Sequence, residues 1–358
     1  MRFAEPIRAV HRKPHRIDQR RRLRSTMRLF VSCVFAAAIA RAEICTTQSG
    51  LAEPERNSLA SAASSLAAKV QANDIAAIRA QTIAEFAKDF GSMQSLIAAT
   101  APRLAGDTLT VDQVYLLDAS DLKKNADGSP ADAQFFCSLN RSTMEADFVI
   151  PALPAGKYAF AMVNAASTAP SWRLSFLLRQ DQGQWQLAGF YPKPLTAAGH
   201  DGLWYWIQAR ELVKQKQPWN AWLYYQAATT LLRPADFVLS THLDKLHTEA
   251  SAAAPPALSD GVSVDAPLVV KGANGTEYHF TSLTVDDSLG QSSLDLALHL
   301  HIDQPADPAA ARKLNSDAAS ALLAAYPELR KPFHGVWVFA DATGQSPFAS
   351  ELPMADIH

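Results

Sequence analysis

The chain has 358 residues, 48% of them hydrophobic and 19% charged, with a formal net charge of −2, which is length enough for about two compact domains and a tail. That composition excludes wholesale disorder and a collagen-like repeat. Three cysteines without a CxxC or Cys/His series exclude a disulfide-dense scaffold and a zinc finger, and no stretch reaches the ~18 apolar residues of a membrane span.

The charge is unevenly placed. Residues 1–28 carry ten basic side chains against Glu5 and Asp18. A 12-residue apolar run, Leu29 to Ala40, follows, and Ala40-Arg41-Ala42 precedes Glu43. A basic region, a short apolar core and small residues at the expected cleavage point predict a secretory signal peptide over 1–42, with Met27 as the expected true start. Ile44-Cys45 lacks the small residues of a lipobox. Cleavage after Ala42 would leave 22 basic and 33 acidic side chains, a net charge of −11. An acidic surface repels phosphate backbones, so nucleic acid is not an expected partner. Only Cys45 and Cys137 would remain, either as one disulfide in an oxidising compartment or as two unrelated thiols.

Residues 43–56 read as an extended lead-in, and Asn57-Ser58 as the cap of a first helix with Leu59, Ala62, Leu66 and Val70 at helical spacing. A second helix carries Ile75, Ile78, Phe86 and Phe90; a third runs from Met93 to Ala101. From Thr108 the period changes to two, predicting strands at 109–117, 133–139, 146–150, 156–164 and 172–179. Asp181-Gln182-Gly183 turns the last of these into Trp185, Leu187 and Tyr191. Helices followed by a run of antiparallel strands predict an α+β domain, a curved sheet closing over a helix.

The segments VQANDIAAIRA, FAKDF and LSFLLRQDQGQWQLAGFYPKP resemble the cone-shaped fold named after nuclear transport factor 2, over residues 57–196. The resemblance implies an apolar interior pocket. It implies no catalysis here, because no Asp/His pair falls on the strands.

Residues 197–250 return to helix, broken at Gln217-Pro218, with a third helix expected over 235–249. Ala209, Leu212, Ala221, Tyr225 and Ala228 resemble a single tetratricopeptide-type hairpin, and a helical hairpin packed on the cone suits the same residues. The segment is rich in aromatics. Trp204, Trp206, Trp222, Tyr224 and Tyr225 are candidate ligand- or partner-binding residues, or else a core seam together with Tyr205 and Trp219.

Residues 251–260 read as a linker, and 261–358 as a second α+β domain, a sheet of four or five strands with one helix on its apolar face. Leu294, Leu296, Leu298, Leu300 and Ile302 alternate with Asp295, Ala297, His299, His301 and Asp303. Asp307-Pro308 caps the helix. His299, His301 and Asp303 share one strand face and are candidate metal ligands, with His279 and His334 as neighbours; the solvent face of an amphipathic strand would look the same. His200-Asp201 reads as a capping pair.

No GxSxG, HExxH, P-loop or dinucleotide fingerprint occurs, and no cofactor is expected. The residues predict an exported, non-catalytic protein of the bacterial cell envelope, periplasmic or extracellular, that binds a small apolar ligand or a protein partner. The alternatives are an enzyme with chemistry in the cone pocket and a structural or assembly component of the envelope.

Overall fold

The backbone of residues 43–100 is organised by what each segment can cap and bury. β1 (Ile44–Thr47) is the extended part of the lead-in. α1 (Glu53–Gln71) then begins earlier than the Asn57-Ser58 cap predicts: Pro54 fits the first helical turn, and Glu53 and Glu55 sit at the positive end of the helix. The predicted second helix is two, α2 (Ile75–Ala80) and α3 (Ala84–Lys88), and α4 (Gly91–Thr100) follows. The computed structural model describes residues 43–138, 145–167, 170–259, 261–287, 293–303 and 307–358; the leader read over 1–42 lies outside the described residues.

Next come β2 (Leu109–Ala119), β3 (Ala133–Ser138), β4 (Glu145–Ile150), β5 (Gly156–Ala165), β6 (Trp172–Asp181) and β7 (Gln184–Pro194). The run expected as one sheet divides into two. An antiparallel five-stranded sheet has the order β1-β2-β5-β6-β7, while β3 and β4 join a separate three-stranded sheet. Both faces of the larger sheet are covered. Val114, Leu116, Ala161, Leu174 and Phe176 pack beneath α1, and Tyr115, Leu117, Phe160 and Leu177 pack against Phe135 and Phe148 of the smaller sheet. Alternation places successive residues on opposite faces, so a strand with two covered faces serves two cores. The Cys45–Cys137 disulfide, with Cα atoms 5.3 Å apart, fastens β1 of one sheet to β3 of the other.

The chain continues through a two-stranded ribbon, β8 (Thr196–Ala197) and β9 (His200–Asp201), into α5 (Gly202–Lys214) and α6 (Pro218–Leu232). The helix predicted over 235–249 is corrected at its start. Val238 to Ser240 form β10 (Val238–Ser240), the third strand of the smaller sheet, pairing Val238 with Phe148. α7 (Thr241–Ala253) begins only afterwards, capped by the Ser240 hydroxyl, which accepts from the Leu243 amide at 3.2 Å.

The last sheet is β11 (Leu268–Lys271), β12 (Glu277–Asp286), β13 (Asp295–Ile302), β14 (Gly335–Ala342) and β15 (Phe348–Pro353), in that order. α8 (Pro308–Ala325) connects β13 to β14, which pair in parallel; the other pairs are antiparallel. Asp307 caps α8 as predicted, accepting from the amides of Ala309 and Ala310. The chain is an α+β protein. One apolar core contains Trp206, Leu223 and Leu231 of the helical segment together with Phe280, Leu298, Leu322 and Val338, and Leu258, within the stretch read as a linker, is buried in it.

Candidate functional site

The aromatic segment is mostly taken up by this shared core. Trp206 and Tyr225 are 6% and 3% exposed, and Trp204, Trp222 and Tyr224 are half-buried against the same residues. Their rings meet edge-on in a chain: Trp204 to Tyr205 at 5.0 Å, Tyr205 to Tyr224 at 5.3 Å, Tyr224 to Phe333 at 6.4 Å. The large apolar side chains most open to water on these helices are aliphatic, Leu203, Ile207 and Val213. His200 stacks on Trp204 at 3.7 Å, and the Asp201 carboxylate accepts from the Trp204 amide at 2.8 Å, which is the expected cap.

The metal grouping is not formed. Among the described residues no three His, Cys, Asp or Glu side chains are placed to hold a metal ion. His299 Nδ1 lies 2.8 Å from Asp341 on β14, and its ring stacks on Phe339. His301 Nε2 is 3.7 Å from Asp303, whose side chain is fully exposed. His279 lies beside Glu277, and His334 Nδ1 is 3.4 Å from Asp295. Alternation did put the three residues on one face, but His299 is paired with Asp341 of β14 and does not share a centre with His301 and Asp303.

The residues the structure does bring together are others. A cavity of about 450 Å³ lies between the two N-terminal sheets and the start of the helical segment. Tyr115, Phe160 and Met162 from the larger sheet, Ala146 and Phe148 from β4, and Leu203, Trp206 and Leu232 from the helices form its apolar wall. Tyr115 and Phe148 meet at 5.2 Å, and Phe148 and Phe160 at 5.3 Å, so the wall is fixed by aromatic contacts on both sheets. Asp112, Gln113, Arg173, Ser240 and His242 are its polar members. Asp112 is displaced by a bulge between β2 and β5, which locally interrupts the register between Val111 and Gln113.

Arg173 stands out chemically. Burial pushes its guanidinium below the usual arginine range, and the charge of Asp112 opposes that shift. Its hydrogen bond is a long one, from Nη1 to the Leu232 carbonyl at 3.5 Å, and Nε is buried with no partner. Ser175 Oγ, on the same face of β6, and Asn164 Oδ1, directly across on β5, are also buried without partners. Burial raises the Tyr115 hydroxyl, and Asp112 adds to the effect. The hydroxyl donates to Gln113 Oε1 at 2.5 Å.

None of these polar residues was singled out by sequence. Arg173 and Ser175 alternate with Trp172, Leu174 and Phe176, which reads as the wet side of an amphipathic strand. The second sheet covers that side. The only signal was the distant pairing of β4 with β10, which no local pattern carries. Compared with family models, curated proteins and solved structures, the chain matches none.

Proposed function

We propose that this chain is an exported, non-catalytic binding protein of the bacterial cell envelope whose cavity between the sheets holds a small, largely apolar ligand. The carrying observation is the cavity itself: about 450 Å³, walled mainly by aromatic and aliphatic side chains with a few polar groups among them. Small-molecule sites have this character and span about 300–1,000 Å³. The resemblance of residues 57–196 to the cone fold points the same way, since it implies an apolar pocket. Export is supported by the basic-apolar-small order of residues 1–42 and by the Cys45–Cys137 disulfide, a bond that persists in oxidising compartments. Among the described residues, no helix is long and apolar enough to cross a membrane.

Two measurements test the reading. N-terminal sequencing of the exported protein should begin at Glu43; an intact chain confined to the cytosol would overturn export. Native mass spectrometry of the purified protein with apolar small molecules should show one-to-one complexes, which replacing Ala146 with Phe weakens by filling the cavity. An enzyme is the second reading, favoured by Asp112 and His242 lining the same cavity. Among the described residues no hydrogen bond or ion pair joins them in the ligand-free protein, so this reading rests on their shared cavity alone. In a binding protein, Asp112→Asn with His242→Gln leaves ligand affinity within about threefold, less than about 0.7 kcal/mol.

A further inference from the structure

The geometry points to an amphipathic monoanion as the ligand of this cavity, an apolar body ending in a carboxylate that pairs with Arg173. This rests on the cavity being a binding site and goes further, to the chemistry of what binds. A guanidinium stays charged in any protein environment, and one partly drawn out of water, as on the half-buried Arg173, is stabilised by a counter-charge with hydrogen bonds. Arg173 has no carboxylate within ion-pair distance among the described residues. Asp112 is exposed at the cavity wall and acts on it only through space.

The surroundings favour an anion at that end. Lys193 lies directly across from Arg173 on β7 and adds a second positive charge to the strand face. Ser240, the cap of α7, and His242 and Leu243 of its first turn line the same cavity, so the N-terminal end of a 13-residue helix opens on to it, its positive character offset in part by Asp244. A carboxylate suits the planar fork of an arginine, which offers two parallel N–H donors. Beyond the head group, Phe148, Phe160, Met162 and Trp206 offer an apolar surface with no polar atom left for the ligand, because the Trp206 indole N–H already donates to Glu249 at 2.7 Å. A negative charge at Arg173 and an apolar body against these four side chains are therefore what this part of the wall favours.

The test compares decanoate, decan-1-ol and decyltrimethylammonium, three probes on a ten-carbon chain, titrated into the purified full chain and read by calorimetry and by intrinsic tryptophan fluorescence. Decanoate should bind at least about tenfold more tightly than decanol, and the cation more weakly than either. Raising the ionic strength should weaken decanoate and leave decanol unchanged, a readout that needs no variant. Arg173→Met should abolish the preference for decanoate while keeping decanol within about threefold, and Arg173→Lys should retain part of it. Equal affinity of the wild-type protein for decanoate and decanol would overturn the anion assignment and leave the apolar-cavity reading standing. No binding of any of the three would overturn both.

Discussion

The best-satisfied charged group in the described residues is Glu249 on α7. Its carboxylate accepts from Trp206 Nε1 at 2.7 Å and from Arg210 Nε and Nη2 at 2.7 and 2.8 Å, and the Arg210 guanidinium rests 4.7 Å from the Trp206 ring. The hydrogen bonds from Arg210, followed by that from Trp206, hold its carboxyl at about 2, below the usual 4.5, against the opposing effect of burial. A carboxyl lowered on folding contributes stability that is complete above its unfolded value and is lost as pH falls through the folded one. The window is therefore from about 4.5 down to about 2. Asp147, raised by burial and by Glu145 and Asp244, has the opposite sign, so only a comparison with a variant isolates Glu249. Because the Arg210 side chain is 40% exposed, Glu249→Gln should cost a modest ~1–2 kcal/mol at pH 7. The difference from wild type should shrink towards pH 2. Urea unfolding at several pH values measures it, and a pH-independent difference would assign the effect to packing alone.

The same logic applies to whole elements, because single polar side chains decide how α8 sits on its sheet. Asn315 is fully buried in the middle of α8, and its amide donates to the carbonyls of Val338 and Phe348 and to Ser350 Oγ at 3.0–3.2 Å. One side chain thereby ties the helix to β14 and to the edge strand β15. Asn315→Ala should cost about 2–3 kcal/mol, the loss of several buried hydrogen bonds, and hydrogen exchange should rise first in β15. Unchanged protection of β15 would mean that Leu352 and the β14 ladder hold the edge unaided.

How much of these elements the sequence disclosed follows from the range of the forces. The alternation in Trp172 to Arg179 and Leu294 to Ile302, and the Asp307 cap of α8, are local and were legible. The break between α2 and α3 is not local: the Leu187 amide donates to the Gln81 carbonyl at 2.7 Å and the Leu187 carbonyl accepts from Ile83 at 3.0 Å, so a distant strand interrupts the helix. β10 was hidden for the same reason, since Val238 is extended because Phe148 pairs with it. Asn315 is polar, so a pattern of apolar positions does not mark it as buried. The cavity was the least legible feature, because Arg173 joins it only once two sheets face each other.

At the scale of the molecule, that confrontation of sheets combines an apolar interface with one covalent bridge. The smaller sheet meets the larger one through the aromatic contacts of Tyr115, Phe148 and Phe160 and through the Cys45–Cys137 bridge, which spans 92 residues of sequence. Cross-linking a loop of that size removes denatured-state entropy worth up to about 4–5 kcal/mol. The net effect should be smaller, because β1 stays anchored by four register pairs with β2 even when the thiols are free. Reduction, or Cys45→Ala with Cys137→Ala, should therefore lower the urea midpoint without unfolding the chain. The loss should also be local. Amides of β3 and of β4, the strand that lines the cavity, should exchange faster, whereas those of β13 and β14 in the separate core around Leu298 and Val338 should keep their protection. Ligand affinity should fall with the protection of β4, since Ala146 and Phe148 supply its share of the wall. If β3 and β4 exchange as slowly in the reduced protein as in the oxidised one, the apolar interface alone positions the smaller sheet, and the bridge contributes stability without shaping the site.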